Sequence, residues 1–475
     1  MATATMSAAA PVGVGHGLGS VRPDRAVSTA PIRVLGAKPS GSRPRAAAVL
    51  RQPRRSTVGD DGSQGLRFRT TCRTAQAPGV TTDEAEDVKG DKFVFSKQWW
   101  PVAVLCDLDP SRPNAAELLG ERVVLWRDGE GAWQCFQDRC PHRLAPLSEG
   151  RLEGGNLSCA YHGWEFEGSG ACTRIPQADS PETHAKACAN PRACAKSHPV
   201  QVRHGLLFAW GESGATAALE ATATPVPVMR ELDEPANRER LTVVADWFTS
   251  IVPYSYDTLC ENVLDPSHVP FSHHGVQGNR KNGKAIPMQL EGSVTVDGGF
   301  VTSQPGGGTI SFAPPGVINY RGGARVEGLS AFNMMIYAVP LRPGYSRLYF
   351  CVATTRKSPA LRLLRLIPRW VQHLPRMEVL SGDGIFLHAQ ERELRRLAPA
   401  STWNKQFFMP NSADTAVVAF RRWYHDLAGG AVGYAPGVPP ELPPLITDRR
   451  VLNDRWGQHV KDCPSCRGAH HTMGR

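Results

Sequence analysis

Residues 140–162 decide the reading of this chain: Cys140-Pro-His142, then 16 intervening residues, then Cys159-Ala-Tyr-His162. The pattern is C-x-H…C-x-x-H, two mixed pairs. A [2Fe–2S] cluster with one iron on two thiolates and the other on two neutral imidazoles needs this arrangement. Each short loop must give one sulfur to one iron and one nitrogen to the other. Imidazole ligation raises the reduction potential and makes the cluster a one-electron carrier. Zinc is the competing occupant. Its pairs usually match, C-x2-C followed by H-x3-H, and a one-residue gap between Cys and His is short for it. Gly and Pro at Pro141, Pro146, Gly154, Gly155 and Gly163 supply the chemistry of tight hairpin tips. Cys140, His142, Cys159 and His162 are therefore read as the cluster ligands.

Outward from the motif, the flanks read as strands. Trp99-Trp100-Pro-Val-Ala-Val-Leu105 precedes it. Arg122–Trp126 and Ala132–Phe136 flank the turn Asp128-Gly129-Glu-Gly131, a hairpin signal. Gly205–Trp210 supplies a closing strand. Residues 93–212 thus read as an all-β module with the ligand loops at one end. Residues 213–240, rich in Ala, Thr, Pro and charge, read as an interdomain connection. From 241 to 430, strand-like runs alternate with helical ones at 376–398 and 412–427, so this part reads as an α+β domain. Residues 431–475 read as a Pro- and Gly-rich tail ending in Cys463-Pro-Ser-Cys466.

A second chemical stretch is Asp265-Pro-Ser-His268-Val-Pro-Phe-Ser-His273-His274. Two histidines five apart at a helix end can face one point. With one carboxylate they complete a 2-His-1-carboxylate facial triad, which binds Fe(II) and leaves positions free for O2. His268 and His273 are read as ligands. The adjacent His274 would point elsewhere. Asp265 is read as the partner that bonds a ligand imidazole and passes electrons or protons. The third ligand must come from far away. Asp383, in Ser381-Gly-Asp-Gly384, is the best candidate, with a helix N-cap as its other reading.

The net charge of +10 is no nucleic-acid signal. Residues 1–75 hold 12 Lys/Arg against 3 Asp/Glu, and the other 400 residues hold 42 against 41. The basic segment is rich in Ala, Ser, Arg, Pro and Gly and lacks an apolar secretory core, the composition of an organelle transit peptide. Twelve cysteines form no disulfide framework, which fits a reducing compartment such as a stroma. No run of 18 or more apolar residues exists, so a spanning helix is not expected.

Taken together, the two ligand pairs, Arg174–Ala178, Ser197–Trp210, Tyr256–His268, Asp383 and Asp454–Cys466 resemble a Rieske non-haem iron oxygenase. The resemblance is narrowest to the plant and cyanobacterial group of pheophorbide a oxygenases, chlorophyllide a oxygenases and inner-envelope Rieske proteins linked to protein import. The terminal C-x-x-C points to the pheophorbide a oxygenase branch, since the chlorophyllide a oxygenases lack it. The resemblance implies a Rieske [2Fe–2S] domain followed by a helix-grip (START-like) mononuclear iron catalytic domain. It selects Asp383 as the third ligand over the N-cap reading. It also implies a ferredoxin-fed monooxygenase that uses O2 on a chlorophyll-derived tetrapyrrole in a chloroplast, at the thylakoid or inner-envelope surface or in the stroma. A homotrimer is implied too, in which Asp265 bridges the cluster of one chain and the iron of the next. Hydroxylation of protochlorophyllide or a phyllobilin, and an envelope redox-sensor role without turnover, are the alternatives.

Two stretches carry further expectations, and the second departs from that pattern. Cys463 and Cys466 read as a redox-regulatory pair, a target of thioredoxin, with two free surface thiols or a weak metal site as the other reading. The basic stretch Ala360–Leu374 replaces the apolar C-terminal segments described for this branch. Leu363, Ile367, Trp370, Val371 and Leu374 would share one helical face, and Arg362, Arg365 and Arg369 another. That suits peripheral membrane contact or packing against the core.

Overall fold

A computed structural model describes residues 92–228, 232, 240–326, 329–355, 366–398 and 400–474. Residues 1–91, which include the basic segment 1–75, and residues 356–365, which include the start of the basic stretch, lie outside the described residues.

Eleven strands fall between Trp99 and Trp210: β1 (Trp99–Val104), β2 (Asn114–Leu118), β3 (Glu121–Arg127), β4 (Trp133–Gln137), β5 (Arg151–Glu153), β6 (Asn156–Ser158), β7 (Glu165–Phe166), β8 (Cys172–Arg174), β9 (Ser197–His198), β10 (Val200–Arg203) and β11 (Leu206–Trp210). They make three antiparallel sheets ordered β1-β11-β10, β2-β3-β4-β9 and β5-β6-β7-β8. The Asp128–Gly131 turn closes the β3–β4 hairpin, with the Asp128 carboxylate accepting the Glu130 and Ala132 amides at 3.0 and 2.8 Å.

Seven further strands follow: β12 (Thr242–Val252), β13 (Gln289–Thr295), β14 (Gly299–Ser303), β15 (Thr309–Ala313), β16 (Val317–Val326), β17 (Leu329–Arg342) and β18 (Tyr345–Thr354). They form one antiparallel sheet ordered β12-β18-β17-β16-β15-β14-β13. The long helix Arg369–Leu397 and the helix Tyr256–Leu264 pack against it, and this gives the helix-grip layer. The α+β class with an all-β first domain is the architecture observed.

Two cores explain the arrangement. The larger joins the domains: β1 and β11 contribute Trp99, Trp100, Phe208 and Trp210, which are buried together with Trp247, Tyr256 and Tyr337. Across that seam the Phe208 and Tyr337 rings stand 5.6 Å apart, and the Trp247 indole donates to the His204 carbonyl at 2.7 Å. The smaller core lies beneath the ligand loops, where Val124, Trp126, Phe136, Leu157 and Phe166 surround Cys140 and Cys159. The loops therefore rest on a packed floor of their own.

Two connections differ from their sequence reading. The stretch after Trp210 contains a helix, Ala215–Ala223, whose Ala217 and Ala221 are buried in the main core. Two alanines four apart share a helical face, and even that narrow face is enough to dock it. Residues 431–475 are no free tail. The Ala435 amide bonds the Leu119 carbonyl at 2.8 Å, Arg392 donates to the Pro443 carbonyl, and the Ile446 amide donates to His388 Nε2 at 2.9 Å. A Pro-rich segment has few hydrogen bonds to make with itself, so it takes partners from the body. The basic stretch also differs. Pro368 is the N-cap of the long helix, so Ile367 does not share a helical face with Trp370.

Candidate metal centres

The two ligand loops repeat one backbone design. In the first, the Cys140 amide bonds the Ala145 carbonyl at 2.8 Å and the Leu144 amide returns to the Cys140 carbonyl at 2.8 Å. In the second, the Cys159 amide bonds the Trp164 carbonyl at 2.8 Å and the Gly163 amide returns to the Cys159 carbonyl at 2.9 Å. The residue four beyond each cysteine takes a left-handed conformation, with φ of 63° at Leu144 and 71° at Gly163. Both cysteines are buried on the inner core. His142 is exposed and His162 half-buried, with ring centroids 4.5 Å apart. Trp164 stacks on His142 at 4.7 Å. Sulfurs inward and imidazoles outward suit a mixed-ligand cluster whose electrons leave through the histidine edge.

In the second domain, His268 ends a short 3-10 turn (Pro266–His268) and His273 caps the one-turn helix Val269–Ser272. Asp383 lies inside the long helix, not at an N-cap. Its carboxylate is 3.2 Å from His273 Nε2 and 3.8 Å from His268 Nε2. One donor atom from each of the three residues falls within 4.8 Å of the other two. Gly382 lies against His273, where a Cβ would stand 3.5 Å from Nδ1, an ordinary contact. His274 points away and accepts the Arg280 amide.

The donor chemistry fits a divalent cation. Asp383 is buried, and among the described residues no lysine or arginine pairs with it. A buried carboxylate facing only imidazoles lacks compensation unless a cation sits among them. Asp265 stands behind His268, its Oδ2 3.6 Å from Nδ1, and accepts the Ser267 amide at 2.7 Å. Burial pushes the Asp265 carboxyl up, but His268 and the Ser267 amide outweigh it and hold it below the usual range. Burial pushes His268 down, but the Asp265 and Asp383 carboxylates outweigh it and raise its pKa. The same field favours a bound metal ion.

Other buried groups support the site without a legible signal in the sequence. The Tyr254 hydroxyl is fully buried with no hydrogen-bond partner among the described residues. Burial, and then the Asp383 charge, raise its pKa well above the ordinary phenol value. Arg421 binds Asp257 at 2.9 Å and also Glu261, both on the helix that leads into Asp265. It ties that helix to the helix Thr415–Arg422 on which Arg421 lies.

The cysteines at 463 and 466 are not surface thiols. Both are buried, and both face histidines: Cys466 Sγ lies 3.2 Å from His459 Nε2 and 3.3 Å from His373 Nδ1. The spacing His459-x3-Cys463-x2-Cys466 was visible in the sequence, but nothing there linked it to His373.

With both centres in place, the comparisons with known proteins converge. The Rieske [2Fe–2S] domain model matches residues 98–192 and the pheophorbide a oxygenase model matches residues 312–400. Pheophorbide a oxygenase, chloroplastic, of Oryza sativa subsp. japonica is 37% identical over 424 residues, 84% of this chain and 77% of that protein. The chain belongs to the pheophorbide a oxygenase family of Rieske oxygenases. Another relative, flavonoid 8-hydroxylase 2, chloroplastic, of Ocimum basilicum, is 35% identical over 84% of this chain and 78% of its own length. The solved structure of dicamba monooxygenase bound to dicamba shares the fold, with a TM-score of 0.53 and 22% identity over 71% of this chain and 98% of that one. As a Rieske oxygenase, the chain is an iron enzyme that carries a [2Fe–2S] cluster and a mononuclear iron. It consumes O2, electrons from a donor and an organic substrate. Like its chloroplastic relatives, it is a chloroplast protein.

Proposed function

We propose that this chain is a ferredoxin-dependent monooxygenase acting on a chlorophyll-derived tetrapyrrole, with pheophorbide a and macrocycle opening as the leading case. The observation that carries it is the joining of His268, His273 and Asp383 in a chain so similar, over most of its length, to pheophorbide a oxygenase. In this reading Cys140, His142, Cys159 and His162 hold the cluster, and His268, His273 and Asp383 hold the iron. When bound, the two centres supply single electrons and activate O2. The chain's own work is placement. His268, His273 and Asp383 would hold the iron with three protein donors and so would leave coordination positions for oxygen. Asp265 orients the His268 ring from behind. The buried Tyr254 closes off water near Asp383.

A homotrimer belongs to the same reading. His142 is exposed, and Asp265 and His268 keep 29% and 23% of their side chains open, as a bridge to a neighbouring copy requires. Peripheral membrane contact is supported by exposed Leu366, Ile367 and Leu374, while no described helix is long and apolar enough to cross a membrane. Thioredoxin as a partner of Cys463 and Cys466 has less support, since both residues are buried.

A flavonoid is the second substrate class, favoured by the nearly equal identity to flavonoid 8-hydroxylase 2. The intact set of three donors weighs against a redox sensor that needs no oxygen site. The test is anoxic loading with pheophorbide a, protochlorophyllide, a phyllobilin or a flavone, followed by oxygen and reduced ferredoxin, with products identified by mass. An opened macrocycle with added oxygen supports the leading case. A hydroxylated flavone alone overturns it, and no product from any candidate favours the sensor.

A further inference from the structure

Four donor side chains meet at a second point away from the iron site. His373 lies in the second turn of the long helix, His459 in the turn Trp456–Val460, Cys463 at the cap of the last helix (Pro464–Met473) and Cys466 in that helix's first turn. One ligand atom from each falls within 4.8 Å of the other three, and none of the four residues is more than 5% exposed. The nearest approaches are 3.0 Å between His373 Nδ1 and His459 Nε2, 3.3 Å from Cys466 Sγ to His373 Nδ1 and 3.2 Å to His459 Nε2, and 3.7 Å from Cys463 Sγ to His373 Nδ1. A tetrahedral zinc with bonds of about 2.3 Å to sulfur and about 2.0 Å to nitrogen requires N···S edges of about 3.5 Å and an N···N edge of about 3.3 Å. These four edges stand within a few tenths of an ångström of that frame, and the remaining two lie within 4.8 Å.

The surroundings agree with a metal centre. The His459 Nδ1–H donates to the Thr249 carbonyl at 2.6 Å, which sets the tautomer and turns the Nε2 lone pair inward. Phe248 packs on both imidazoles, with centroids at 5.1 and 4.7 Å, and belongs with Met377 and Val460 to the apolar cluster that holds the two cysteines. Although spaced C-x-x-C, the two cysteines are free thiols and not a disulfide. Two thiolates, two neutral imidazoles and one Zn2+ sum to zero charge, so the centre can be buried without an unpaired ion.

We infer that His373, His459, Cys463 and Cys466 bind a structural zinc ion. Four protein donors leave no open position, so the site is a staple and not a second reaction centre. It ties together three things: the C-terminal helix, strand β12 through Thr249, and the start of the long helix. Ser465 strengthens the tie by accepting the Trp370 amide at 3.1 Å. Ten residues further along that helix, about 15 Å at its rise per residue, sits Asp383. The zinc therefore anchors the rod that presents Asp383 to the iron site, and the reading holds whatever the substrate is.

The full-length protein, purified without chelators and with its iron centres loaded, is analysed for metals. The expected content is about one zinc beside about three irons per chain. Zinc K-edge absorption should give a shell of two sulfurs and two nitrogens. The Cys463→Ser/Cys466→Ser variant should lose the zinc and keep the Rieske visible and EPR spectra. If that variant does not fold, the wild-type absorption spectrum alone decides. Zinc below about a tenth per chain, zinc in an oxygen-rich shell, iron in the S2N2 shell, zinc unchanged in the folded variant, or a 463–466 disulfide in freshly alkylated protein would each overturn the inference.

Discussion

His273 Nε2 stands 3.2 Å from the Asp383 carboxylate, although strands β13 to β18 separate them in sequence: His273 lies between β12 and β13, and Asp383 on the helix after β18. Folding the sheet between them is what brings the pair together. His268→Ala and Asp383→Asn should each leave the Rieske EPR signal intact and remove the mononuclear iron. Turnover should fall by more than the ~10–100-fold typical of residues that only support a ligand. Iron per chain and product yield check this, and full turnover in either variant would refute the ligand assignment.

Asp265 touches His268 from behind and is no donor itself in this arrangement. Asp265→Asn should retain iron at both centres and lower turnover by about 10–100-fold. The informative readout is reoxidation of the reduced cluster in a single turnover with substrate and O2 present. Slow reoxidation with full iron content marks a positioning and relay role, whereas lost iron would make Asp265 a ligand.

The matched loops make a paired prediction. Gly163 needs φ of 71°, and a Cβ there would lie 3.1 Å from Pro176 Cγ. Gly163→Ala should cost about 1–2 kcal/mol and lower cluster occupancy. Leu144 already bears the left-handed strain at φ of 63°, with its side chain 70% exposed. Leu144→Gly should be within about 0.5 kcal/mol of wild type, since relief of strain is offset by unfolded-state entropy. Thermal midpoints and the visible spectrum compare the two.

Burial pushes the Glu391 carboxyl from 4.5 up to about 7, despite the Ser255 amide it accepts at 3.2 Å. The folded chain holds this proton up to about pH 7, and the unfolded chain releases it near 4.5. Its contribution is therefore complete below pH 4.5 and is lost as pH rises through 7, a span of about 3 kcal/mol. Glu391→Gln should flatten the midpoint between pH 5 and 8 and be more stable than wild type at about pH 8. An unchanged slope would show that other groups set the pH dependence.

The mixed pairs at 140–162 and the D-x2-H-x4-H stretch at 265–273 were legible because their chemistry is local. Ligand identity and spacing within a loop need no knowledge of distant chain. Strand and turn signals around Asp128–Gly131 were legible for the same reason. Asp383 was only a candidate from its own surroundings, since a lone carboxylate between glycines also reads as a cap. Arg421, Tyr254 and His373 carried no local mark at all.

Local sequence thus determined which donors exist, how each short loop presents them, and that one domain is all-β. Tertiary structure decided which donors meet. The antiparallel order of the large sheet and the long helix across it bring Asp383 to two histidines and His373 to a distant C-x-x-C. The reason is physical: a metal site is defined by a few ångströms between atoms, and chain separation says nothing about that distance until side-chain packing has closed the loops between.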